Sequence, residues 1–154
     1  MTPYYLDTSA LIKHYVAEPG SAWLEAAVFA RDGVLALTSR VTMVEVWSAL
    51  ARRRREASIS AQDHADAVDA FREDCATRYR LVELELLVIE EAGRLLERHA
   101  LRAYDAVQLA SALVANRALV DAGLTQPVFL SADDRLLALA EAEGLSTDSP
   151  NPHP

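Results

Sequence analysis

Four acids lie where short apolar runs give way to helical patterns. Asp7 follows "PYYL", Glu45 lies early in the helical stretch after "VLALTS", Asp105 opens a long helical stretch after "LRAY", and Asp133 stands two residues beyond "VFLS". Carboxylates crowded together repel and take up protons unless a cation keeps them ionised. Oxygen donors without a His or Cys cluster favour Mg²⁺ or Mn²⁺, ions that keep several waters and take one or two carboxylates directly. Such an ion polarises a phosphate oxygen, activates a water for in-line attack and neutralises the leaving oxygen, which is phosphodiester hydrolysis. In that chemistry Asp7 and Asp105 are the strongest ligand candidates. Glu45 is a ligand or orients the water, and Asp133 binds through water or to a second ion.

Each acid also has a purely structural reading. Asp7 suits the N-cap of a helix over "TSALIKHYV", and the pairs Asp105 with Gln108 and Ser131 with Asp134 fit capping boxes. Glu45 cannot cap, because it lies several residues inside its helix, and its structural reading is an ordinary solvent-facing Glu. At about 100° per residue it shares a face with Val41, Ser48, Ala49 and Arg52, which predicts partial burial. Asp105 shares its face with Leu109 and Ala112 in the same way.

Positioning these acids requires strands that end at one edge. The apolar runs at 3–6, 34–39, 80–85 and 128–131 have strand length, and amphipathic stretches of helical period separate them. Ser21 suits an N-cap, and Gly33, Gly123 and Gly144 suit helix ends. Mostly uninterrupted apolar strands alternating with helices predict an α/β fold: a three-layer α/β/α sandwich around a parallel sheet of four to five strands. Ligands in such folds bind beyond the carboxyl ends of the strands, where Asp7 falls. One domain is expected over 1–146. The polar, Pro-rich "STDSPNPHP" predicts a flexible tail over 147–154.

The chain has 154 residues, a net charge of -8 and a single cysteine, Cys75. No internal disulfide or cysteine-rich zinc site can form, and the four histidines lack zinc-type spacing. With no signal-like leader and no apolar stretch of bilayer length, a cytoplasmic protein without membrane contact is expected. The acidity is unevenly distributed. Arg52, Arg53, Arg54 and Arg55 form one helical turn, suited to RNA phosphates or to an acidic protein segment, and equally to a solvated helix end.

"YLDTSALIKHYV", "TSRVTMVEVWSAL", "LRAYDAVQLASAL" and "VFLSADDRLLALAEAEGL", in this order, resemble the PIN domain, specifically the small single-domain toxins of VapBC toxin–antitoxin pairs. The resemblance runs from about residue 3 to 145 and implies a Mg²⁺- or Mn²⁺-dependent endoribonuclease. Its acids would be Asp7, Glu45, Asp105 and Asp133, with supporting hydroxyls at Thr8 or Ser9 and at Ser131. The hydroxyl-x-Asp pattern selects Asp133 over Asp134, which is left to cap the helix. The resemblance also implies an RNA substrate, a homodimer and a VapB-type antitoxin that blocks the site. A catalytically silent binding module and a DNA-directed nuclease remain as alternatives. A phosphotransfer receiver would need a late lysine, but none follows Lys13. A haloacid-dehalogenase-like phosphatase would need an acid where Ser9 stands, and no glycine-rich phosphate loop is present.

Overall fold

Five strands, all parallel, lie in the order β3-β2-β1-β4-β5. They are β1 (Thr2–Leu6), β2 (Val34–Ser39), β3 (Arg80–Val82), β4 (Val128–Leu130) and β5 (Ser146–Asp148). The structure is a computed structural model and describes residues 1–153. Parallel strands need crossovers, and helices supply them. On one face the chain runs from β1 through α1 (Thr8–Leu11) and α2 (Ser21–Leu24) to β2, then through α3 (Val41–Arg55) and α4 (Ala61–Thr77) to β3. It then changes face. α5 (Leu86–Arg98) and α6 (Ala103–Asp121) carry it back past β2 and β1 to β4, and α7 (Asp134–Ala142) leads to β5.

Strand alternation feeds two separate cores. Tyr5, Leu37 and Phe129 point to the α5–α6–α7 side, where Tyr5 and Phe129 stack with ring centroids 5.6 Å apart. Leu6, Ala36 and Leu130 point to the α1–α4 side, against Leu24, Val46, Leu50 and Phe71. Burial on both faces explains why these strands read as continuous apolar runs. The order of connection reverses between β1 and β4, so the carboxyl ends of these two strands flank the crevice where ligands bind in open α/β sheets. Asp7 and Ser131 are the residues immediately past those two ends, and the Asp7 amide donates to the Leu130 carbonyl at 3.1 Å.

The structure corrects the sequence reading in three places. Residues expected to lie in a tail from 147 contact the domain: Thr147 pairs with Phe129 in β5, Ser149 and Pro150 are buried, and His153 stacks on Trp23 at 4.2 Å. Backbone pairing along an edge strand depends little on side chains, so the polar "STD" gives no periodic sign of it. α2 is capped by Gly20, not Ser21. Gly20 takes a left-handed φ of 92°, and the Ser21 hydroxyl instead accepts from the Glu18 amide. β3 stops at Val82 rather than residue 85. Among the described residues no helix is long and apolar enough to cross a membrane.

Candidate active site

The ends of β1 and β4 and the first turns of α3 and α6 converge on a cleft of about 770 Å³ lined by Asp7, Glu45, Asp105 and Asp133. Four separate elements thus deliver four acids to one place.

Asp7 is 4% exposed and is a helix cap as well as a cleft residue. Its Oδ1 accepts from the Ala10 amide at 2.9 Å and the Ser9 hydroxyl at 2.7 Å, and its Oδ2 accepts from the Ser131 hydroxyl at 2.6 Å. Burial pushes its pKa up to about 6. The Ser131, Ser9 and Ala10 hydrogen bonds hold it down from a higher value, and the charge of Glu45 adds to the rise.

Glu45 and Asp133 are each anchored through one oxygen. Glu45 Oε1 accepts from the Thr8 hydroxyl at 3.0 Å and from Gln108 Nε2 at 2.8 Å. Asp133 Oδ1 accepts from the Arg135 and Leu136 amides as the N-cap of α7, at 3.0 and 3.3 Å. The other carboxylate oxygen of each has no protein partner among the described residues. Asp105 makes no side-chain hydrogen bond there at all. Burial raises its pKa and the charge of Asp133 raises it further, against the opposing pull of Arg102 and Arg135.

Both expected capping boxes are absent. Asp134 opens α7 while Asp133 caps it, and the Ser131 hydroxyl serves Asp7 and accepts from the Asp133 amide at 3.0 Å. α6 has no side-chain cap: its N-cap is Arg102, so Asp105 lies inside the first turn, and Gln108 turns inward. The three hydroxyls Thr8, Ser9 and Ser131 all contact acids, and Ser9 also accepts from the Ala132 amide.

Gln108 is the residue that sequence reasoning missed. Its buried amide accepts from the Tyr5 hydroxyl at 2.8 Å and donates to Thr42 and Glu45, both at 2.8 Å, and to Thr8 at 3.2 Å. It ties the sheet to the acid on α3. No spacing rule reveals this, since its partners lie far away in the chain.

The arginine run divides. Arg52 and Arg53 line the cleft, whereas Arg54 and Arg55 are exposed and outside its lining. Arg53 and the buried Lys13 both pair with Glu18, so that within the run Arg52 faces the cleft without a carboxylate partner among the described residues.

A sequence profile of the PIN domain matches residues 4–142. Two relatives from Mycobacterium tuberculosis, Ribonuclease VapC45 of strain CDC 1551 / Oshkosh and Ribonuclease VapC49 of strain H37Rv, are each 40% identical over 140 residues, covering 91% of this chain and 90% of theirs. Among solved structures, a toxin–antitoxin complex from Klebsiella pneumoniae aligns with a TM-score of 0.62 at 15% identity, over 96% of this chain and 97% of that one. VapBC2 from Rickettsia felis, bound to a DNA fragment from its promoter, aligns at 0.64 and 13% identity, over 96% and 98%. These distant structures share the fold, while the profile match and the 40% identical relatives bear on kinship. This chain belongs to the PIN-domain family.

Proposed function

We propose that the chain is the endoribonuclease toxin of a toxin–antitoxin pair, hydrolysing RNA phosphodiester bonds at the cleft of Asp7, Glu45, Asp105 and Asp133 until an antitoxin protein covers it. The observation that carries this reading is the delivery of four acids by four elements to the switch point of the sheet. The ribonuclease names of the 40% identical relatives support the activity. The Klebsiella pneumoniae neighbour, a toxin–antitoxin complex, supports the partner. The exposed apolar side chains of Leu86, Leu87 and Ile89 on α5 support a second copy of the chain as a further partner.

The donor set fits Mg²⁺ or Mn²⁺. It is made of carboxylates and hydroxyls alone, and two of the acids are held above their ordinary pKa by burial, a penalty that a cation would offset. Among the described residues no three His, Cys, Asp or Glu side chains are clustered tightly enough to cage an ion by themselves. Mg²⁺ is commonly held by one or two carboxylates, with water filling the remaining positions. When bound, the ion supplies Lewis acidity for in-line attack of water on phosphorus. Asp7 and Asp105 would hold it. The unbonded oxygen of Glu45 is oriented by Thr8 and Gln108 at its other oxygen, so it can receive the proton of the attacking water from a fixed direction. Asp133, fixed by the α7 amides, would act through water.

The test is cleavage of a structured RNA, with a DNA of the same sequence beside it, by purified protein in Mg²⁺ or Mn²⁺. EDTA and Asp105→Asn serve as controls. Expected is RNA cutting that leaves 5′-phosphate ends and is lost in both controls. Cutting that survives Asp105→Asn would refute the site, and preferential cutting of DNA would refute the substrate.

A further inference from the structure

Tyr104, in the first turn of α6, is 54% exposed although its helix is buried almost continuously from Ala106 to Leu113. Among the described residues its ring stacks on no other ring and its hydroxyl makes no hydrogen bond. The ring nevertheless occupies a defined place, because it lines both the acidic cleft and an adjoining lobe of about 550 Å³ shared with Arg102, Asp105, Asp133 and Arg135. An exposed aromatic ring costs hydrophobic free energy in water, and an unpartnered one beside a charged cleft offers a flat face for something planar.

The surrounding charges indicate what that is. Arg102, immediately before Tyr104, is exposed and has no carboxylate partner among the described residues. Arg52 is likewise unpaired, and lines the part of the cleft that also holds Lys13 and Glu18 and that the Tyr104 lobe does not include. Free cations therefore line both spaces that hold the acids, Arg52 in the cleft and Arg102 in the cleft and its lobe, and suit a polyanion bound there. Bases in a duplex are already stacked on one another, whereas unpaired bases can be splayed onto an aromatic side chain.

We infer that Tyr104 is a stacking platform for an unpaired nucleobase next to the scissile phosphate, with Arg102 on the phosphate of that nucleotide. The inference rests on the nuclease reading and adds a base-binding subsite to it. Tyr104 thereby favours single-stranded over duplex RNA at the cut.

Binding is measured by fluorescence anisotropy, using a labelled short single-stranded RNA, the same oligonucleotide with one base at a time replaced by an abasic unit, and a duplex. The protein is the full chain carrying Glu45→Gln, in Mg²⁺, so that the RNA stays intact. Tyr104→Ala should weaken single-strand binding about tenfold, and Tyr104→Phe should stay within about twofold of the parent. At one abasic position the penalty of Tyr104→Ala should vanish, and duplex binding should be insensitive throughout. Single-strand affinity unchanged by Tyr104→Ala, or a penalty that no abasic position removes, would overturn the subsite. The two readings fail separately. Tyr104-dependent binding with no cutting by the chain that retains Glu45 upholds the base subsite and removes the nuclease, whereas cutting by that chain without Tyr104-dependent binding does the reverse.

Discussion

Replacing Asp7 by Asn separates the stability of the cleft from its activity. The Asp7 carboxyl has its pKa raised from 3.8 to about 6, chiefly by burial. The folded state therefore binds the proton more tightly than the unfolded chain does. The stability this contributes is fully present below the unfolded value of 3.8 and is lost as pH rises through about 6. At 1.36 kcal/mol per pKa unit, the ionised side chain at pH 7.5 burdens the metal-free fold by about 3 kcal/mol relative to a neutral one. Near pH 4.5 the burden falls to about 1 kcal/mol. Asn is neutral throughout and can keep the network. Its Oδ1 still accepts from Ala10 and Ser9, and its Nδ2 can donate to Ser131 Oγ, whose own proton turns to Ser9 3.2 Å away. In EDTA at pH 7.5, Asp7→Asn should raise Tm by roughly 3–10 °C, taking about 2–4 °C per kcal/mol and some loss of charge-assisted bonding. It should also abolish cleavage. Calorimetry of both proteins in EDTA at pH 7.5 and 4.5 provides the check. A variant that melts at or below the wild type at pH 7.5, or a gap that fails to narrow in acid, would refute the picture of a buried carboxylate awaiting a cation.

Gln108→Leu withdraws one donor from Glu45 and one acceptor from the buried Tyr5 hydroxyl. Urea unfolding should show a loss of about 1–3 kcal/mol. Gly20→Ala meets both a left-handed φ of 92° and the Pro150 carbonyl oxygen, 2.4 Å from the new Cβ. A loss of at least about 1–3 kcal/mol is expected by the same measurement, and an unchanged midpoint would show that the C-terminal segment does not press on this loop. Arg52→Ala and Arg102→Ala should weaken RNA binding regardless of sequence. Each should make the slope of log affinity against log salt shallower by about 0.7–1, read from a salt titration.

Which features could be read from the sequence follows from where their causes lie along the chain. β2 stands at the expected 34–39 because its burial on both faces is written into consecutive apolar residues. Glu45 was identifiable as half-buried because helical period alone places it beside Val41 and Ala49. Asp7 offers a choice between cap and site acid, whereas at "SADD" the sequence reading gives the cap to Asp134; in the structure Asp7 and Asp133 are the caps. One Asp133 oxygen is enough to hold the helix amides, so the other is left for the cleft. Gln108 resisted because its meaning comes from Tyr5, Thr42 and Glu45, at separations of 103, 66 and 63 residues, while its local spacing from Asp105 imitates a capping box. The contacts made after residue 147 resisted for a related reason. The Asn151 side-chain amide donates to the Ala132 carbonyl and His153 stacks on Trp23, contacts that a polar, Pro-rich composition does not announce.

The bond between Ser131 and Asp7 spans 124 residues of chain. β1 is made first during synthesis, yet one of its two neighbours in the sheet, β4, is among the last strands to emerge. Until residue 133 has cleared the ribosome, Asp7 lacks its Ser131 donor and the cleft lacks its fourth acid. The N-terminal half can collapse around α1–α4 in the meantime, but contacts of such long range form late, because loop closure must precede them. A chain broken off before β4 therefore carries three of the four acids and no assembled site. The cleft is therefore completed by the strand that joins β1 from far along the chain, and only a chain that retains β4 can assemble it.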